Sequence, residues 1–223
     1  MYQLYQFPLC PFSRKVRLLL AEKGVAHELK RVSPWQQDDD FSDLNPAGET
    51  PVLVEASKGT LLIDSGAICE YFEETVDRAP MIPGTSIARA EIRRLVAWFD
   101  GRLHRDVIGP LMEERMTKRL ASRAPPDTGE LRKAMTAANG HLDYMDYLLD
   151  HRRWLGGPAL TLADLAAAAQ LSVGDYLGGI DWRSHKQTAD WYAVMKSRPS
   201  FRPLLAERME VILPPAHYDK VDF

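Results

Sequence analysis

Apolar and polar positions along the first third of the chain switch twice between strand and helix periods. Residues 1–7 read as an amphipathic β-strand, which Pro8 ends. Val16, Leu19 and Leu20 then share one helical face, and Lys23-Gly24 supplies a C-terminal stop. Residues 26–32 predict a second strand, and a polar stretch follows from Trp35 to Asp43. Residues 52–55 and 61–63 predict a hairpin of two short strands around Lys58-Gly59. Beyond them Ser65 caps a helix whose Ala67, Ile68, Tyr71 and Phe72 face the core. The order β-α-β, then β-β-α, is that of a thioredoxin-like α/β domain.

The pattern changes at residues 78–85, where Ala79-Pro80 and Pro83-Gly84 mark a linker. Strand signals then stop. Ile92, Leu95, Val96, Phe99 and Leu103 define a long amphipathic helix, Ala124-Pro125-Pro126-Asp127 breaks it, and Leu142, Met145 and Leu149 mark the next one. Thr161-Leu162-Ala163-Asp164 forms a capping box that opens an alanine-rich helix, whose small residues 166–169 predict a buried central position. Two short helices separated by Pro199 close the bundle. We therefore place a thioredoxin-like domain at 1–77, a linker at 78–86, an all-helical domain at 87–212 and an extended tail at 213–223.

Composition narrows the function classes. The 223 residues are 45% hydrophobic and 26% charged, ordinary for a soluble globular protein of one large or two small domains. A formal net charge of -3 argues against general nucleic-acid binding, which needs a concentrated basic face. No apolar run approaches the ~20 residues of a membrane span, and residues 1–7 lack the character of a signal peptide. Two cysteines, Cys10 and Cys69, are too few for a disulfide scaffold or a cysteine-rich zinc site, so no metal is expected and a cytoplasmic location is.

Cys10-Pro11-Phe12-Ser13 carries the candidate chemistry. A thiol at a strand-to-helix turn lies beside unsatisfied helix N–H groups and the positive end of the helix dipole, both of which favour thiolate. Two readings stay open: a reactive cysteine, with Ser13 as a weaker alternative nucleophile, or a small apolar residue packed at the turn. Cys69, on a core-facing helix position, reads as packing. His104, Arg102 and Arg105 read as a solvated helix face, and His217 has no ligand partners at metal spacing. Trp35 in a polar loop reads as an interface aromatic or as a ring laid over the sheet.

Three motifs, Cys10-Pro11-Phe12-Ser13, residues 45–53 (Asn-Pro-Ala-Gly-Glu-Thr-Pro-Val-Leu) and Asp64-Ser65-Gly66-Ala67-Ile68, give the chain a resemblance to the cytosolic glutathione S-transferase family over nearly its whole length. The resemblance implies a thioredoxin-like domain followed by an all-helical domain, assembled as a homodimer. It implies Cys10 as the catalytic cysteine of an omega-like enzyme, Pro51 as a cis-proline, Thr50 as the backbone that holds the cysteinyl part of glutathione, and Asp64 with Ser65 as the holder of its γ-glutamyl end. Two positions depart from that pattern. Asp64 is one methylene shorter than the usual glutamate, and Asp38-Asp39-Asp40 stands where a cation pairs with the glycine carboxylate. Each close, solvent-exposed like charge opposes an anionic ligand by up to ~1 kcal/mol.

Residues 10–17, 89–100, 214–218 and 222–223 resemble more specifically a bacterial subgroup of that family that binds filaments of the tubulin-like protein FtsZ and promotes constriction. In that resemblance Trp35, Pro214, Pro215, His217, Tyr218, Asp219, Asp222 and Phe223 are the partner-binding positions. Consecutive prolines preform an extended conformation, Tyr218 and Phe223 supply aromatic anchors, and Asp219 and Asp222 supply charge. The resulting expectation is a dimeric adaptor on FtsZ filaments at the division site that requires no cofactor and performs no glutathione catalysis. The alternative is a glutathione-dependent transferase or thiol reductase that uses Cys10.

Overall fold

The computed structural model describes residues 1–35, 39–55 and 57–220. It forms two compact units, Met1–Met81 and Ile82–Phe223.

In the first unit, strands β1 (Tyr2–Gln6), β2 (His27–Arg31), β3 (Val52–Glu55) and β4 (Thr60–Ile63) form one sheet in the order β2-β1-β3-β4. β1 and β2 are parallel, with Tyr2 opposite His27, whereas β1/β3 and β3/β4 are antiparallel, with Leu4 opposite Leu53 and Val52 opposite Ile63. Parallel neighbours need a crossover, which helix α1 (Pro11–Lys23) provides. Gly24 ends α1 in the left-handed region at φ 69°, and its N–H meets the carbonyls of Leu20 and Ala21. Short helix α2 (Asp39–Leu44) buries Phe41 against Val32 and Val52, and α3 (Ser65–Thr75) buries Ile68, Cys69 and Phe72. Lys23 joins the ends of α1 and α3. Its buried Nζ lies 2.8 Å from Glu73 Oε1 and donates to the carbonyls of Val76 and Arg78.

The second unit is helical. α4 (Ser86–Ala97) runs without a break into a π-helical stretch (Trp98–Ile108), a single α-turn α5 (Gly109–Met112) and a second π-helical stretch (Glu113–Ser122). The apolar spacing predicts this continuous element but not its wide turns. Arg123, left-handed at φ 53°, stops it, and Asp127 caps α6 (Thr128–His151). Every residue of α7 (Leu162–Tyr176) is buried, as the alanine run predicts. Closeness is possible because the residues are small: a Cβ at Gly174 would stand 2.9 Å from Ile108 Cδ1. At its start Asp164 Oδ2 accepts from the N–H and hydroxyl of Thr161, while Oδ1 accepts from Leu155 N–H and Trp191 Nε1. Helices α8 (Lys186–Ser197) and α9 (Arg202–Ala206) follow.

The C-terminal segment, expected as an extended tail, is fixed to the helical unit. Residues 207–220 form an irregular strap fastened onto α7. Tyr176 Oη donates to the Ile212 carbonyl at 2.7 Å and accepts from Met209 N–H at 2.9 Å. Tyr218 is 0% exposed, meets the Tyr176 ring edge-on at 5.0 Å and donates its hydroxyl to the Leu204 carbonyl. Asp219 pairs with Arg208 at 2.8 Å. Tyr218 is therefore a core side chain. Its ring gains more from burial against Tyr176 than a solvated tail offers, and it does not stand free as an anchor for a partner.

Candidate functional site

Residues 45–51 and 63–65, together with Phe12, enclose a cleft of about 170 Å³ in the first unit. Asn45 builds one wall: its Nδ2 donates to the Glu49 carbonyl at 2.8 Å, and its Oδ1 accepts from Ala47 N–H. Gly48, at φ 67°, closes this turn. The sequence motif Asn45-Pro46-Ala47-Gly48 thus sets the loop, a positioning role for Asn45 beyond its value as a signature. The Thr50–Pro51 peptide bond is cis, as the resemblance implies.

Cys10 is the N-cap of α1. Its Sγ accepts from Ser13 N–H at 3.5 Å and donates to the Thr50 carbonyl at 3.3 Å. The side chain is 9% exposed, and it touches the cleft through Thr50 without lining it. Ser13 is 0% exposed within the first turn of α1, which leaves its hydroxyl no path to a substrate from solvent.

The start of α3, where the resemblance implies an anion site, is capped from within. Asp64, and not Ser65, is the N-cap of α3: Oδ1 accepts from Gly66 N–H at 2.6 Å, and Ser65 is buried as the first helical residue. Asp64 holds φ 75°, a strained value for a side-chain-bearing residue, sustained by that capping bond. Glutathione carries two carboxylates and one ammonium. Among the described lining residues the cleft offers the carboxylates of Glu49 and Asp64 and no lysine or arginine. Lys30, on the neighbouring strand β2, pairs with Glu28 at 2.7 Å. The cleft's two acceptor carboxylates suit an ammonium and oppose carboxylates. Of the acidic run, Asp38 lies outside the described residues and Asp40 is exposed on α2.

Thr50, Pro51, Asp64 and Ser65 thus meet at one cleft, with Cys10 and Ser13 beneath it. Trp35 is half-buried and packs edge-on against Phe7 at 5.1 Å, so part of the ring covers the sheet. In the second unit Pro214, Pro215, His217, Tyr218 and Asp219 lie along the strap, while Asp222 and Phe223 lie outside the described residues. His104 differs from the solvated face expected of it. It is half-buried with Nδ1 3.1 Å from Gln170 Oε1, and desolvation lowers its pKa. No group of three or more metal-ligating side chains occurs among the described residues, and no described helix is long and apolar enough to cross a membrane.

The comparisons with known proteins agree with this geometry. Residues 9–75 match the family model for the glutathione S-transferase N-terminal domain. The chain is 43% identical over 222 residues to FtsZ-localized protein A of Caulobacter vibrioides, covering 99% of this chain and 97% of the relative. Two solved structures superpose over the whole chain. A glutathione S-transferase from Rhodospirillum rubrum gives a TM-score of 0.97 at 46% identity, covering 100% of both chains. FzlA from C. crescentus gives 0.96 at 43% identity, covering 100% of this chain and 99% of that one. The chain belongs to the glutathione S-transferase family, with a thioredoxin-like domain and a helical domain in the family order. Within that family it is similar, end to end, to FtsZ-localized protein A.

Proposed function

We propose that this protein is a homodimeric adaptor that binds FtsZ filaments at the division site and promotes constriction without glutathione catalysis. The observation that carries the reading is the similarity to FtsZ-localized protein A through 99% of the chain, a span that includes the C-terminal strap. The carboxylate-lined cleft supports the non-catalytic part of the reading, because the negative charges of Glu49 and Asp64 repel the two carboxylates of glutathione. Pro214, Pro215, His217, Asp219, Asp222 and Phe223, with the open side of Trp35, supply the contacts. Tyr218 holds the strap in place from the core. A dimer presents two equivalent straps, and a repeating filament converts that bivalency into avidity. Co-sedimentation with polymerised FtsZ is the test: the chain pellets with polymer in the absence of glutathione, and its retention in the supernatant at saturating polymer contradicts the proposal.

One arrangement favours a second reading. Cys10 at the head of α1, hydrogen-bonded to Thr50 beside cis-Pro51, has the placement of a thiol-transferase cysteine. Under that reading glutathione stabilises the fold and Cys10→Ala abolishes a reductase activity.

A further inference from the structure

A groove of about 580 Å³ opens in the helical unit between the second π-helical stretch, the end of α7 and the strap. Its volume falls in the range of sites that hold small ligands or short peptide segments. One wall carries the guanidinium groups of Arg115 and Arg119, one helical turn apart; the other is apolar, from Leu213, Pro214 and Pro215. The floor is built for close approach. Gly178 is left-handed at φ 68°, and a Cβ there would stand 3.2 Å from both Arg115 Nη1 and Pro215 Cγ.

The charge in this groove is not neutralised from within. Its carboxylate, Glu114, is buried and already accepts from Lys118 Nζ at 2.6 and 2.7 Å and from Asp127 N–H at 2.6 Å. Arg115 spends Nη1 on the Leu177 carbonyl and turns Nη2 toward Met135 Sδ, without a carboxylate partner among the described residues. Burial pushes its pKa below the usual arginine range. Arg119 is exposed and makes no ion pair among the described residues. Opposite them Leu213 is 72% exposed, a large apolar side chain held at the groove's edge. Keeping a half-buried guanidinium unpaired beside exposed apolar surface costs stability, and an anionic, partly apolar ligand offsets both costs together.

We infer that this groove binds an extended peptide segment in which carboxylates alternate with apolar side chains, the carboxylates meeting Arg115 and Arg119 and the apolar residues covering Leu213 and Pro214. Guanidinium groups accept carboxylates in bidentate geometry, and proline-lined walls leave few backbone donors to satisfy. The site shares Pro214 and Pro215 with the proposed filament-binding segment but stands whether or not that reading holds.

The test uses the full chain and a fluorescein-labelled hexapeptide of alternating aspartate and leucine, read by fluorescence anisotropy. Saturable binding is expected, weakened about tenfold or more by Arg119→Glu and by Leu213→Asp, and weakened by added salt. Both positions are exposed, so an unchanged melting temperature confirms that each variant folds. Equal affinity for a lysine–leucine hexapeptide, binding unaltered by Arg119→Glu, or no saturation at about 1 mM protein overturns the inference. Anisotropy that fails to rise while the chain floats with phosphatidylglycerol vesicles in an Arg119-dependent way assigns the groove to an anionic lipid surface and equally overturns it.

Discussion

His217 Nε2 lies 3.0 Å from Asp175 Oδ1, so the C-terminal strap is tied to a carboxylate buried on the central helix α7. Trp182 Nε1 donates to the same oxygen at 3.0 Å. Burial raises the Asp175 pKa, and the Trp182 bond with the nearby charges of Lys196 and His217 works against that shift. The two tyrosines flank this tie, Tyr176 on the helix and Tyr218 on the strap. A segment that reads as polar and irregular is thereby held by one buried ring, one buried carboxylate and the bonds of two tyrosine hydroxyls.

Removing the ring should loosen the strap at a cost typical of a core aromatic. Tyr218→Ala is expected to lower unfolding free energy by about 3–5 kcal/mol, whereas Tyr218→Phe loses only the bond to Leu204, about 1 kcal/mol. Urea denaturation of both variants checks this. Equal stabilities for wild type and Tyr218→Ala would place the ring outside the core.

Asp175→Ala should release the strap locally. It removes the acceptor shared by Trp182 and His217, so amide hydrogen exchange in residues 209–218 is expected to accelerate more than exchange in α6. Uniform acceleration across the helical unit would show global destabilisation instead.

Acid dependence should follow Glu91. Its carboxyl is held down to about 2, first by Arg94 and then by Arg152. A lowered folded pKa gives stability that is present above the unfolded value, near 4.5, and is lost as pH falls toward about 2. Glu91→Gln is therefore expected to be less stable than wild type above pH ~5, by about 1 kcal/mol or less for a partly exposed cluster, and equal to it near pH ~2. Asp164 has the opposite sign. Burial raises its pKa, so its contribution is full below the usual aspartate value and is lost as pH rises through the folded one. Thermal melts at stepped pH separate the two.

Glutathione should leave the fold unmoved. A ligand that binds the native state at one hundred times its Kd stabilises by about 2.7 kcal/mol, a shift of several degrees. At 10 mM glutathione the melting temperature is expected to stay within about one degree of the free protein. Cys10→Ala should behave as a cap deletion, costing about 0.5–2 kcal/mol without altering filament binding. A clear glutathione shift, sensitive to Cys10→Ala, would favour the enzyme reading.

Much of the fold is legible where local chemistry decides it. Gly24 stops α1, the Thr161–Asp164 box opens α7, and the small residues 166–169 mark the buried helix. The family and the cis-proline follow from motifs whose spacing survives in the sequence. The less legible features depend on distant partners. Tyr218 is a core residue because Tyr176 stands 42 positions earlier, a pairing no local pattern encodes. The wide turns over Trp98–Ile108 bury Phe99, Leu103 and Val107 at a spacing of four, which an α-helix also allows, so periodicity passes over them. At the cleft the signature names Asp64 and Ser65 together, but only the backbone shows that Asp64 takes the cap and turns its carboxylate onto the helix end.

Because Tyr218 belongs to the core, the decisive truncation is one that spares it. Co-sedimentation with FtsZ polymers should be compared for the full chain and for a variant lacking residues 219–223, after both are shown to melt alike. Loss of the truncated protein from the pellet, with the full chain retained, is the expected result. Equal pelleting of the two proteins would contradict a filament-binding role for the C-terminal segment.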